Sequence, residues 1–311
     1  MKNVFLFALI LFFSKSNAQI DSLSLKRESR LKVVGSVLKN SILSVPGDFS
    51  EMGHEITSDW KKTAIYTTGI LGLIATDKIT TGFLHDKIEP AIDYSLPRFD
   101  VIKTKIEWLD GNNAYILYPI IGLYAGSVAL NNKKGQTVAV NSFKSVAYSY
   151  VISHLLLKSV FARNRPQRPL NDDTSGSAPW TKDNWDFGNF HPVYFESQVE
   201  GTSFPSFHAT FYFSVAKVFQ MEYNNYWIPY TIATGVFLAD IKSHNHWVSD
   251  LLVGGLIGTI IGRAVVNSSR KQANSNNNHV GMNNFKKFKM QKQLIPQISS
   301  AMVGLHFVGS F

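Results

Sequence analysis

Apolar positions recur along this chain at helical rather than strand spacing. In residues 22 to 45, Leu31, Val34, Val37, Leu38 and Ile42 return every three or four positions, which predicts an amphipathic helix. The following "VPGDFSEMG" holds Pro46 and Gly47 and predicts a break. Six apolar segments of helical length come next, at 63–84, 114–130, 142–161, 207–220, 226–241 and 249–266. The expectation is an all-α fold: a helical bundle with six core helices, an N-terminal amphipathic helix and a short C-terminal strand.

Two polar stretches interrupt this pattern. Residues 164–204 carry Pro166, Pro169, Gly176, Pro179 and Gly201 and show no period. So long a loop inside a domain is usually functional or disordered. Residues 267–294 are rich in Asn, Ser, Gln and Lys and predict a flexible linker. Beyond it, "SAMVGLHFVGSF" alternates, with Val303, Leu305, Phe307 and Phe311 on one face of a strand-like tail over 295–311.

The first eighteen residues change the picture. Lys2 precedes the apolar "VFLFALILFF", and Ser16-Asn17-Ala18 fits a cleavage site, so 1–18 is expected to be a secretory signal and 19–59 an N-terminal region. The bundle then occupies 60–266. Cleavage after Ala18 removes Lys2 and Lys15 and takes the net charge of +9 down to +7. The chain has no cysteine, which excludes disulfides, thiolate metal sites and cysteine nucleophiles. Much of the positive charge lies in "FKKFKMQKQ", which lacks the interleaved aromatics of a nucleic-acid binder, so no nucleic acid is expected as a partner.

The number of apolar segments favours membrane spans, as do Gly254, Gly258 and Gly262, a small-residue ridge suited to close helix contact. Asp77, Lys144, His154 and Lys217 interrupt their apolar segments, and charge inside a bilayer is costly. An exported protein, periplasmic or envelope-associated, is therefore expected ahead of an integral one with six spans.

Three stretches carry candidate chemistry. In "LKSVFARNRP", Lys158 and Arg165 lie seven apart, close to two helical turns, and Pro166 ends the helix. Taken alone, that reads as a solvated basic helix end rather than an anion site. In "FPSFHAT", Pro205 and Ser206 suit a helix start, with Phe207 and His208 in the first turn beside backbone N–H groups able to hold an anion. In "HNHWVSD", one helical turn brings Asp250 to His246, and a carboxylate on one ring nitrogen sets the tautomer. A metal reading of His244 with His246 lacks a third ligand, and no metal is expected.

The order Lys-x6-Arg-Pro, Pro-Ser-x-His, His-x3-Asp resembles the type 2 phosphatidic acid phosphatase superfamily, which also includes bacterial acid phosphatases and vanadium haloperoxidases. The resemblance covers about residues 60 to 266. It implies a phosphomonoesterase that needs no cofactor and acts on a lipid phosphate or a small phosphate ester, with membrane association an option. By the same resemblance His246 would be the nucleophile, Asp250 its orienting partner and His208 the proton donor. Lys158, Arg165, Ser206 and the N–H of Phe207 would hold the phosphoryl oxygens.

Two positions depart from the motifs. Phe207 stands where the superfamily usually has Gly. Asp240 stands where it places an Arg, six residues before the histidine. Lys242 or Arg163 could swing in to compensate, or Asp240 could turn aside and pair with Lys242. Weak activity, altered substrate choice and a non-catalytic phosphate- or lipid-binding relative all stay open. A haloperoxidase holding vanadate is a further alternative, against which stands the absence of a second helical half.

Overall fold

The computed structural model describes residues 28–97, 111–170, 179–195, 198–280, 291–299 and 302–310. The expected signal at 1–18 lies outside them. The chain divides into two compact units, one through Gln272 and one from Ala273 onward.

Among the described residues, the regular structure of the first unit is helical apart from short pairings. Helices α1 (Arg30–Leu43) and α2 (Val45–Thr57) open it. The break expected at "VPGDFSEMG" falls at Ser44 alone: Pro46 sits in the first turn of α2, where its missing N–H costs nothing. The face of α1 also differs from expectation. Val33 and Val37 are buried, whereas Leu31, Leu38 and Ile42 are exposed.

Helix α3 (Trp60–Phe83), capped by Asp59, runs on through a π-helical turn at Leu84–Ile88. It buries Ile74, Asp77 and Thr81 and leaves Ile65, Leu71, Ile79 and Phe83 exposed, so its inward face is largely polar. Helix α4 (Ala114–Ala129) packs on α5 (Lys133–Ser149). Helix α5 continues through π-helical turns at Tyr150–Leu157 into a last α-helical turn at Lys158–Phe161, where Ala162 turns left-handed. The segment expected at 142–161 is thus the second half of a longer helix, whose polar first turn is capped by Asn132.

Helices α6 (Phe207–Tyr223), α7 (Trp227–His244) and α8 (Val248–Val280) follow, the last of them running past Gln272, where the unit ends. The apolar core lies among α4, α5, α6 and α7, with Leu117, Ile120, Phe211 and Val236 at its centre. The glycine ridge of α8 rests on the backbone of α6. A Cβ on Gly254 would stand 2.5 Å from the Ser206 carbonyl oxygen, and Cβ atoms on Gly258 and Gly262 would strike the carbonyls of Thr210 and Ser214.

The linker expected from residue 267 is helix as far as Val280. Its polar side chains make contacts: Ser268 Oγ donates to the Ser44 carbonyl at 2.9 Å, and Arg270 to that of Met221 at 2.6 Å. In the second unit, β3 (Gln291–Ser299) pairs antiparallel with β4 (Met302–Ser310). The expected tail strand is therefore half of a hairpin, whose other half begins inside the expected linker. The first two strands, β1 (Arg165–Pro166) and β2 (Trp180–Thr181), form a short parallel pair in the long polar segment.

Candidate active site

The three motif stretches meet around Asp250. Helix α7 ends at Asn245 in a left-handed conformation, and α8 begins at Val248. His246 lies in the connection, 5% exposed. Asp250, in the first turn of α8, accepts the Trp247 N–H at 3.0 Å and places the same Oδ2 3.4 Å from His246 Nδ1. An acid at this position closes the helix start and orients the ring with one side chain.

The second stretch is tied to the same residue. Ser203 Oγ donates to Asp250 Oδ2 at 2.5 Å, and the Ser206 N–H donates to the Asp250 carbonyl at 3.0 Å. Ser206 caps α6 by accepting the Ala209 N–H at 3.4 Å. That capping puts His208 in the first turn of α6, partly exposed. The Phe207 ring packs edge-on to Tyr150 and His154 and stacks on Phe211, so the side chain replacing glycine belongs to an aromatic cluster.

The first stretch supplies both cations and the brace. Lys158 is buried in the last turn of α5, and Arg165 is buried just beyond it. Desolvation lowers the pKa of Arg165 to about 10, against the pull of Asp250. Arg163 has no exposed surface. Its Nη1 donates to Asp250 Oδ1 at 2.6 Å and Ser249 Oγ at 2.8 Å, and its Nη2 to Asp77 Oδ2 at 2.8 Å and the Asn184 carbonyl at 2.5 Å. The guanidinium carbon lies 4.8 Å from the Phe187 ring and 5.0 Å from that of Trp247. Asp77 also accepts the Ser249 N–H at 2.8 Å. Burial drives the Asp77 carboxyl upward, opposed by Ser249 and Arg163.

The compensating roles expected of Arg163 and Lys242 need correction. Arg163 is committed to two buried carboxylates behind His246, and the Lys242 ammonium donates to the Ile92 carbonyl. Asp240 does not pair with Lys242. It is 5% exposed, its Oδ1 accepts from Asn112 Nδ2 at 3.0 Å, and its Oδ2 lies 3.6 Å from His208 Nδ1. Tyr212 hydrogen-bonds Asn113 at 2.9 Å and also engages Asp240. Burial first, and then that carboxylate, pushes the Tyr212 phenol upward.

Sequence reasoning missed Asp77, Ser203 and Asn184. The available signal for Asp77 was an acid at the centre of an apolar segment. His154 carries a similar signal. It stacks on Tyr150 at 5.0 Å, and burial, reinforced by Lys158 and Arg165, lowers its imidazole to about 4. Among the described residues, no cluster of three or more His, Asp or Glu side chains could hold a metal ion.

A family model described as the PAP2 superfamily matches residues 139–273, a span that contains all three stretches. No curated protein and no solved structure matches the chain.

Proposed function

The chain belongs to the PAP2 superfamily through residues 139–273, and from this we propose that it is a phosphomonoesterase working through a phosphohistidine. Superfamily membership supports phosphate-ester hydrolysis in general. The observation that carries the finer reading is the convergence on Asp250, which Arg163, Ser203 and the backbone of Ser206 all hold beside His246.

With Asp250 on Nδ1, His246 attacks phosphorus through Nε2. The bond to the leaving oxygen breaks, its electron pair stays on that oxygen, and His208 supplies the proton. Water then attacks phosphorus and gives a proton to His208. The P–N bond breaks, its pair returns to His246, and phosphate departs. Lys158, Arg165, Ser206 and the Phe207 N–H stabilise charge on the equatorial oxygens. A single such donor is worth about 2.7–4 kcal/mol in kcat. The scheme draws on these cations where other phosphoryl-transfer enzymes use magnesium.

The proposed substrate is a lipid phosphate or another phosphate ester, met outside the cytoplasm by an exported, envelope-associated protein. The exposed Ile65, Leu71, Ile79 and Phe83 of α3 support contact with a lipid surface. Among the described residues, one helix, Val248–Ser275, is long and apolar enough to cross a bilayer, and 61% of its apolar window is buried within the fold.

The test is release of inorganic phosphate from a dispersed lipid phosphate and from a soluble ester, in the presence of a chelator. Activity should disappear in His246→Ala and in His208→Ala. Turnover that survives both substitutions rejects the mechanism. A second reading, a non-catalytic phosphate- or lipid-binding relative, is motivated by Asp240 in place of the superfamily's Arg. Phosphate binding without turnover in the wild-type chain would select it.

A further inference from the structure

We propose that Asp240 is a positioning residue for His208, and that the pair adapts the site to esters whose leaving oxygen departs only with a full proton. The proposal rests on the reading that His208 protonates the leaving group.

The two histidines are held in parallel ways. His246 presents Nδ1 to Asp250 at 3.4 Å, and His208 presents Nδ1 to Asp240 at 3.6 Å. Each carboxylate is secured on its far side, Asp250 by Arg163 at 2.6 Å and Asp240 by Asn112 at 3.0 Å. A buried carboxylate beside an imidazole favours the imidazolium and directs the transferable proton to Nε2.

The groups around His208 act in opposite senses. Asp240 on α7 lies at ion-pair distance, and Tyr212, one turn along α6, has its ring centroid 5.9 Å from the imidazole. In the proposed site the opposing groups are Lys158, buried in the last turn of α5, Arg165, buried beyond it, and His246 before α8. Exchanging the motif's arginine for a carboxylate removes one cation from the phosphoryl oxygens and keeps more of His208 in the protonated form that can supply the leaving oxygen. During transfer the P–O electron pair goes to the leaving oxygen, which takes the Nε2 proton. His208 ends neutral, and Asp240 stays an anion throughout. An alkyl alkoxide needs that proton far more than a phenolate does. The structure therefore points to alkyl rather than aryl phosphates as the substrate class.

The experiment compares wild type with Asp240→Asn in the full chain, on an alkyl phosphate and on p-nitrophenyl phosphate, and follows His208 by 15N-histidine NMR titration. In the variant, kcat on the alkyl ester should fall about 10- to 100-fold, a fraction of what general acid catalysis supplies. The loss on the aryl ester should be several-fold smaller, KM should hold, and the His208 midpoint should move to lower pH. Asp240→Glu should recover part of the alkyl activity. Asp240→Arg should lose activity on both esters.

Equal losses on the two esters, an unmoved midpoint, or a gain in Asp240→Arg overturns the proposal. If wild type hydrolyses neither ester, the phosphatase reading fails, while the NMR midpoint still decides whether Asp240 governs His208. If the Asn variant does not fold, Asp240→Ser removes the same charge and gives the same readouts.

Discussion

Arg163 sits between two carboxylates, Asp77 and Asp250, and its own side chain is as buried as theirs. Both Asp77 and Asp250 are fully buried, and both depend on its guanidinium. Arg163→Met removes the cation and leaves two buried acids facing each other. Breaking a buried pair from one side costs about 3–5 kcal/mol. The variant should melt well below wild type in a thermal scan, and any folded fraction should turn over slowly because Asp250 loses its anchor. His154 gives a pH signature. Its ring stays neutral in the fold down to about pH 4, whereas the unfolded chain takes up that proton near 6.5. The contribution is fully present above 6.5 and is lost as pH falls toward 4. His85, which burial lowers to about 4, adds a term of the same sign. In His154→Gln, melting temperature plotted against pH should be flatter across that window. These residues were only half visible in the sequence. Asp77, Lys144, His154 and Lys217 stand out there as polar interruptions in apolar segments, but a one-dimensional pattern names no partners. The fold supplies Arg163 for Asp77, Asp48 for Lys144 and Gln220 for Lys217. Asp240 was legible as a departure from the motif. Its alignment with His208 depends on how α6 and α7 pack, which no spacing encodes.

At the level of elements, the apolar runs located the helices well because a buried helix face must repeat every three to four residues. They located ends and faces less well. Pro46 reads as a breaker in a string of letters and acts as a helix starter once Ser44 has turned the chain. The polar end of α8 reads as linker by composition, yet Ser268, Arg270 and Lys271 hold it through contacts with residues from α1 to α6. The glycine ridge of α8 was legible as a close-contact surface, though not which helix it meets. A methyl group at Gly254 would press on the Ser206 carbonyl, backbone that cannot step aside. Gly254→Ala should cost about 1–3 kcal/mol of stability, the usual range for overpacking. It should also lower kcat more than it raises KM, since Ser206 would move relative to His246. Thermal melting and steady-state kinetics on the same preparation check both parts.

For the molecule as a whole, the division at residue 272 separates the helices bearing the site from the hairpin unit. Ending the chain after Gln272 should leave the melting temperature and phosphate release of the helical unit near those of the full chain, measured side by side. A large loss of either would overturn this expectation. Within that unit, the joints between the motif stretches tolerate change very unequally. Forty residues lie between Arg165 and Ser206, and the described ones reach the site through the Asn184 carbonyl, the Ser203 hydroxyl and short backbone pairings. Between Asp250 and Gly254 there is a single turn of α8, clamped at both ends to Ser206. One residue added to that turn would rotate everything upstream of it, His246 included, by about 100° about the helix axis and break the bond from the Ser206 N–H to the Asp250 carbonyl. Insertions and deletions should therefore accumulate in the first interval across descendants of this chain, while the second keeps its length.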